Sequence, residues 1–442
     1  MGRRKSHAPL KVLINNRLAG RLKREAGGAI VFQYDQSWLD WPNRFPISLS
    51  LPLQAAAWRG EPVVAVFDNL LPDSVSVRKR VAEKTGAQGT DSFSLLEQIG
   101  RDCVGAMQFL PEGVDVDASD AIVGDPLSDL DIEALLANLA RAPLGIDPDE
   151  GFRISVAGAQ EKTALLFHDG VWKRPVGATP TTHILKPELG EIQMSWGAID
   201  LTHSVDNEHY CLALMEAFGL PVARTEIATF GERRVLVIER FDRSWGRDGR
   251  LLRLPQEDLC QALSTPSSRK YQDKGGPGVK AVTDRLLESD DAQTDRALFF
   301  KSQILFWLIG ATDGHAKNFS LFLRPGGRFR LTPFYDVLSA QPAFDAGQIP
   351  HKAFRLAMSA GATPHYKILD VHGRHFVESG KAAGLGAAVI RSVLEEVKAD
   401  AATAPDRARS AMPADFHDEV HRSIEAILPR RLQQLESAYA AL

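Results

Sequence analysis

An α+β fold, with a strand-rich amino-terminal half and a largely helical carboxyl-terminal half, is the class this sequence predicts. Three observations carry that expectation. Short apolar runs separated by turn residues fill the first hundred positions and recur from Phe152, as in half-buried strands. From Gln256 onward the apolar residues fall mainly at intervals of three and four, the spacing of helices packed on one face. The length, 442 residues, exceeds what one core usually supports, so two or three domains are expected.

In chain order, KVLI, NNRLAGRL, AIVFQYD and the alternating SLSLPL read as strands of a small sheet. Between Asp68 and Gly100, DNLLPDSVSVRKRVAEKTG and SFSLLEQIG each end in glycine and repeat apolar residues at helical spacing, which predicts short packed helices. The acidic stretch from Glu112 to Asp129 lacks periodicity and reads as a linker or loop at a domain boundary. A helix over DIEALLANLAR precedes a second strand block, expected to form a curled hairpin sheet: RISVAG, KTALLFHDGVWKRP with a turn at HDG, and THILKP. Asp206 to Leu220 has an acidic first turn, apolar spacing and Gly219 near its end, the signals of a helix. TEIATF and RRVLVIERF return to strand, and RALFFKSQILFWLIGA and AAVIRSVLEEVKADAA are helical. No repeat of fixed period interrupts this order.

Charge and composition exclude several classes. With 52 Lys plus Arg against 56 Asp plus Glu the formal net charge is −4, which gives no electrostatic case for wholesale binding to nucleic acid or membranes. Cys103, Cys211 and Cys260 form no CxxC pair, so neither a disulfide framework nor a zinc site is expected and a reducing cytoplasm fits. The longest strongly apolar run, ILFWLIG from Ile304, is far short of the ~20 residues of a membrane span. The basic start, MGRRKSHAPLKVLI, has no apolar signal-peptide core. A cytoplasmic protein is the expectation.

The chemistry-bearing residues fit phosphoryl transfer, which needs a metal on ATP, a cation on its phosphates and a carboxylate beside the attacking hydroxyl. In ATDGHAKNF, Asp313 stands five positions before Asn318, the interval of the protein-kinase catalytic loop, though the usual His-Arg before the Asp is absent. At that spacing a turn aims the Asp at a hydroxyl while the Asn oxygen faces a metal; alone, the same residues also suit an ordinary turn. After a hairpin pattern, Asp336 in FYDV reads as an acid at the end of an apolar strand and a second metal ligand. Lys186 closes the strand HILKP as a phosphate-binding cation. Glu208 could pair with it, although a solvated glutamate is the simpler reading. VAGAQEKT has one glycine before Lys162 and lacks the second glycine of the strand-loop-helix phosphate loop, while TALLF continues as strand. A loop of small residues joining two strands over phosphates is the better reading, with Lys162 as an extra charge. In VIERFDR, Glu239, Arg240 and Phe241 end a strand where a kinase hinge would bind adenine through main-chain groups.

Taken in order, DNLLPDS at 68, IGRDCVGA at 99, FRISVAGAQEKTALL at 152, THILKP at 182, SVDNEHYCLAL at 204, ERFDR at 239, LPQEDLCQ at 254, GATDGHAKNFSLF at 310 and LTPFYD at 331 resemble the HipA family of bacterial serine/threonine kinases, the toxin halves of HipA-HipB pairs. The resemblance implies a kinase-like two-lobed fold: an extra β-rich subdomain over 1–115, a β-rich lobe over 150–245 and a helical lobe over 246–442. It implies ATP and Mg2+ as cofactors. Residue by residue it makes Asp313 catalytic and Asn318 and Asp336 magnesium ligands. Lys186 becomes the phosphate lysine, and Ala157, Gly158, Ala159, Gln160, Glu161 and Lys162 the phosphate loop. Glu239, Arg240 and Phe241 become the hinge, with His315 and Tyr335 among the nucleotide contacts, and Ser155 the serine that is autophosphorylated. The implied partners are a HipB-like helix-turn-helix antitoxin, operator DNA through that complex, and a protein substrate for which glutamyl-tRNA synthetase is the family's example. A kinase-shaped corepressor scaffold and a small-molecule kinase are the competing readings.

Overall fold

The computed structural model of this protein describes residues 8–114, 121–146, 154–158 and 160–442. The chain forms two compact units, Met1–Pro187 with Ala228–Ser268 and Ser320–Phe329, and Glu188–Ile227 with Arg269–Phe319 and Arg330–Leu442. The units therefore cut across the ranges 1–115, 150–245 and 246–442. The helix at Ser204–Ala217 joins the second unit because it packs on the helices at Ala292–Ile309, Ala404–Ser410 and Glu419–Leu435.

The first unit is built on two sheets. One has β1 (Leu10–Ile14), β2 (Arg17–Arg24), β3 (Ile30–Tyr34), β4 (Trp58–Arg59) and β6 (Met107–Pro111), with β5 (Asp102–Cys103) preceding β6 in the chain; its order is β4-β3-β2-β1-β6. Asn15 and Asn16 make the β1–β2 turn at φ 46° and 64°, the left-handed pair that asparagine tolerates and that matches strand twist. Phe32, Phe67 and Phe109 are fully buried beneath this sheet, with ring centroids 5.6 and 5.8 Å apart. Each contributes on the order of 1.5–3 kcal/mol by leaving water. The expected strand at SLSLPL is absent. There the Ile47 and Leu49 amides are answered by the Tyr34 hydroxyl (3.0 Å) and the Glu257 carboxylate (2.8 Å), so side chains replace a strand ladder.

The other sheet has the order β12-β13-β11-β9-β10-β7, from β7 (Gly124–Pro126), β9 (Thr163–His168), β10 (Val171–Pro175), β11 (His183–Pro187), β12 (Thr225–Phe230) and β13 (Arg233–Glu239). The expected HDG turn closes β9 onto β10, with Asp169 at φ 53° and Gly170 at φ 75°. β7 lies inside the stretch expected to be only linker; three residues paired by backbone alone leave no periodicity to read. β8 (Ile154–Ser155) stands apart and pairs in parallel with β5, Cys103 opposite Ser155.

The second unit is mainly helical. α1 (Ser204–Ala217), α2 (Ala292–Ile309), α3 (Gly373–Ala382), α4 (Ala387–Asp400) and α5 (Glu419–Leu435) surround a core that includes Phe299, Trp307, Phe319 and Phe376. α2 contains the ILFWLI run and is buried on nearly every side over its last three turns, which is why that segment is apolar without amphipathic alternation. Among the described residues no helix is long and apolar enough to cross a membrane.

Candidate active site

The catalytic-loop candidate hangs from the end of α2. The Asp291 carboxylate caps the start of that helix by accepting from the Thr294 amide (3.3 Å). Gly310, at φ 72°, ends it, letting the Gly310 and Ala311 amides return to the Trp307 (3.3 Å) and Phe306 (2.8 Å) carbonyls. Gly314 presses on the same helix: a Cβ there would lie 2.2 Å from the Phe306 ring. The Asp313 carbonyl accepts both the His315 amide (2.8 Å) and Asn318 Nδ2 (2.9 Å). The loop is thus locked from behind by its own residues, while the Asp313 side chain stays 56% exposed. Its Oδ1 accepts from the Tyr271 hydroxyl and lies 3.8 Å from His315 Nε2. His315 itself is buried, with the Tyr271 ring edge-on at 4.9 Å.

Asp336 is not at a strand end, as expected from FYDV. The preceding strand stops at Leu331, Pro333 cannot donate to a ladder, and Phe334 keeps only a single bridge to Val222. Asp336 sits at φ 58°, a left-handed conformation that stores about 1 kcal/mol in a non-glycine residue and clusters at functional sites. The chain is tied down on either side of it. The Tyr335 hydroxyl donates to the Lys317 carbonyl (3.1 Å), and Asn207 of α1 brackets Ser339 with Nδ2 on its carbonyl and Oδ1 on its amide, both at 2.8 Å.

Among the described residues no group of three His, Cys, Asp or Glu could enclose a metal. The donor types of Asn318 and Asp336, an amide oxygen and a carboxylate, are ones that magnesium takes beside phosphate oxygens. Asn318 spends its Nδ2 on Asp313, which leaves its amide oxygen as the atom to meet a cation, and Asp336 supplies a carboxylate. One or two such protein ligands beside phosphate oxygens and water is how magnesium is commonly held.

In the first unit, Ser155 is fully buried and its hydroxyl donates to the Leu70 carbonyl (2.7 Å). The loop that follows is anchored by the DNLLPDS segment, since the Gly158 carbonyl accepts the Asp73 amide (3.1 Å) and Gly158 bridges Pro72. Gly158 is at φ 117°, and a Cβ there would lie 2.4 Å from Lys162 Nζ. That ammonium donates to the Ala157 carbonyl (2.8 Å). Gln160 Nε2 reaches the Pro187 carbonyl (3.2 Å), and exposed Glu161 pairs with Arg80 at 3.2 Å. Ala159 lies outside the described residues. Lys186, 4% exposed, stands on β11 between β13 and β9. Glu208 in α1 is 2% exposed, so the solvated reading of that residue is overturned; α1 is covered on almost every face and carries Glu208 inward.

The expected hinge follows β13. Phe241 meets Phe322 edge-on at 5.8 Å. Arg240 is tied into the unit: its amide donates to the Thr182 carbonyl (2.9 Å) and its carbonyl accepts the Arg243 amide (3.1 Å). Its guanidinium, 1% exposed, binds Asp242 twice (2.8 and 3.0 Å), the Thr181 hydroxyl and the Cys103 carbonyl (both 2.9 Å). A buried guanidinium requires acceptors for its five donors, and this one finds them inside the unit. Asp102 completes the cluster, with Arg243 and Arg253 each at 2.9 Å and the Thr181 hydroxyl at 2.7 Å. Burial opposes ionisation of Asp102, but Arg243, Arg253 and Arg240 together outweigh it and hold the carboxyl far below the usual range. Asp242 is lowered in the same way, against burial, by Arg240 and Arg243.

Comparison with known proteins bears on this arrangement. Residues 10–110 match the HipA N-terminal domain, and residues 154–404 match the HipA-like C-terminal domain. The chain belongs to the HipA family. The Sinorhizobium fredii protein Y4mE, named as a candidate kinase, is 33% identical over 386 residues, covering 86% of this chain and 87% of that one. The serine/threonine-protein kinase toxin HipA of Shewanella oneidensis is 29% identical over 343 residues, 75% of each chain. A structure of Shewanella oneidensis HipA with HipB and operator DNA superposes with a TM-score of 0.78 at 22% identity, over 98% of this chain and 99% of that one, a likeness of fold. The α+β fold expected from the sequence is that of a HipA-family chain.

Sequence reasoning left two groups of residues without a task. Asp102 and Arg243 stood in the motifs IGRDCVGA and ERFDR without a role, and Arg253 was visible only as a charge close to apolar residues. Tyr271 carried no signal, because its contact with Asp313 joins positions 42 residues apart.

Proposed function

We propose that this HipA-family chain is an ATP- and magnesium-dependent serine/threonine protein kinase, the toxin of a HipA-HipB type pair. The observation that carries the reading is the Asp313 loop: a carboxylate 56% exposed, mounted on a buried helix end and locked through its own carbonyl by Asn318 and His315. A general base needs that combination of fixed position and open face. In the reaction, Asp313 accepts the proton of a serine or threonine hydroxyl as its oxygen bonds to the γ-phosphorus of ATP and the bond to the ADP oxygen breaks. Magnesium, when bound, neutralises charge on the phosphates. Asn318 and Asp336 hold that metal. Lys186 and the amides of 157–162 bind phosphate oxygens, His315 and Tyr335 line the nucleotide segment, and main-chain groups of Glu239 and Phe241 meet adenine.

Ser155 is the autophosphorylation site in this reading. Its hydroxyl is buried against Leu70, so modification requires β8 to leave β5. A phosphate there would add nearly two negative charges beside the loop that must hold those of ATP, so the modified kinase is inactive. The partners we propose are a HipB-like helix-turn-helix antitoxin, operator DNA through that complex, and a translation enzyme of the glutamyl-tRNA synthetase kind as substrate. The fold likeness to a HipA solved with HipB and operator DNA supports the first two.

The test is incubation of purified protein with magnesium and labelled ATP, followed by mass spectrometry of the Ser155 peptide, with Asp313→Gln alongside. Phosphate on Ser155 in the wild type and not in the variant is expected. ATP binding without transfer in the wild type would leave only a kinase-shaped scaffold.

A further inference from the structure

The carboxylate that the kinase reading makes the base is gripped on one oxygen only, by a residue that reading does not use. The Tyr271 hydroxyl donates to Asp313 Oδ1. Oδ2 has no hydrogen-bond partner among the described residues. The tyrosine is braced rather than loosely placed. Its carbonyl accepts the Lys274 (3.0 Å) and Gly276 (2.9 Å) amides, and the carbonyl of Lys270 accepts the Ala316 amide from the Asp313 loop (3.4 Å). Gln272 Oε1 accepts from the Ser359 amide (2.8 Å) and hydroxyl (3.2 Å), and Asp273 lies 3.6 Å from Arg355, which pins the segment to the strand Arg355–Ala360. The buried His315 ring stands perpendicular to the Tyr271 ring, at 87°.

We propose that Tyr271 is a positioning residue for phosphoryl transfer, fixing Oδ1 of Asp313 so that Oδ2 faces the acceptor hydroxyl. This inference rests on the kinase reading. A carboxylate able to rotate about its last bond offers the acceptor either oxygen at many angles; one donor on Oδ1 removes that freedom, as the third member of a nucleophile-base-orienter set does. The donor is neutral and lies in a segment pinned elsewhere, so it orients the base without neutralising it.

Tyr271→Phe deletes the hydroxyl and keeps the ring against His315. The expected result is a fall in kcat of at least about tenfold, with KM for ATP and for the protein acceptor each within about twofold of wild type. In an Asp313→Asn background the same substitution is expected to lower the residual transfer no further, because a residue acting only through Asp313 has nothing left to orient. The contact is also read without activity: in protein labelled with 13Cζ-tyrosine, the Tyr271 resonance, assigned by its loss in Tyr271→Phe, should move in Asp313→Asn. An unchanged kcat in Tyr271→Phe, an equal loss in both backgrounds, or phosphate found on Tyr271 itself would each overturn the positioning role while leaving the kinase reading intact. A wild type that transfers no phosphate overturns the kinase reading and the role with it, and the labelled resonance then reports only the contact.

Discussion

Two sets of charged motif residues, one in each compact unit, are treated in opposite ways by the fold. In the first unit the side chains of Asp102, Arg240, Asp242, Arg243 and Arg253 are at most 5% exposed and bind one another. In the second, Asp313 is 56% exposed and its carboxylate accepts from the Tyr271 hydroxyl alone among the described residues. The contrast is one of saturation. A framework charge has its bonding groups answered from several sides, whereas a reacting charge is held from behind and left open in front. Position within a motif does not separate the two, since IGRDC and ERFDR belong to the family likeness as much as TDGHAKN does.

The largest expected effect lies on the framework side. Asp102→Ala leaves three buried guanidinium groups short of an anion, and breaking a buried ion network in this way typically costs ~3–5 kcal/mol. Urea denaturation of the variant should show that loss, and a loss below about 1 kcal/mol would mean the cluster is not a framework. The pH dependence has a definite sign. Asp102 and Asp242 have folded values below their ordinary ones, so their stabilisation is present above the unfolded carboxyl value of about 3.9 and is lost as pH falls below it toward the folded values. Wild-type stability should therefore drop steeply below about pH 4, and Asp102→Ala should flatten that limb.

Asp313→Asn should reverse the pattern. Transfer is expected to fall at least ~100-fold, the upper part of what a general base contributes being larger still. Stability should stay within about 0.5 kcal/mol of wild type, as for a surface substitution. Phosphate incorporation and urea denaturation on the same preparation check both halves. A variant that unfolds as Asp102→Ala does would erase the contrast, because the carboxylate would then belong to the framework too.

That contrast also explains what the sequence made legible. Asp313 and Asn318 could be proposed from spacing because neighbours in the chain are here neighbours in space: Asn318 and His315 bond the carbonyl of Asp313 itself, whereas Asp336 was proposed from its place after the hairpin pattern. The turn at Asp169–Gly170 was readable for the same local reason, while the asparagine pair Asn15–Asn16, included in the strand segment NNRLAGRL, forms the turn before it. The cluster at Asp102 was not, because its partners sit 79 to 151 residues away and are chosen by packing. The partners of Arg240 were hidden by the same gap: its place beside Phe241 in the chain says nothing about Thr182 and Cys103, which take its hydrogen bonds. SLSLPL alternates as a strand should, yet Glu257 takes the Leu49 amide, and Tyr34 takes the amide of Ile47 just before the segment.

Asp336 sharpens the comparison most finely, since it bears a backbone cost as well as a carboxylate. At φ 58° glycine is at ease and alanine is not, the difference being about 1 kcal/mol, while glycine gives back part of this through the freer unfolded chain. Both substitutions remove the carboxylate and whatever it binds, so comparing them cancels that loss. Asp336→Gly should therefore be more stable than Asp336→Ala by about 0.5 kcal/mol or slightly more, and both should lose magnesium-dependent transfer. Calorimetric melts of the pair decide it. If alanine melts with or above glycine, the left-handed turn relaxes once the carboxylate is gone, and Asp336 is held in place by its own contacts rather than by the Tyr335 and Asn207 frame on either side.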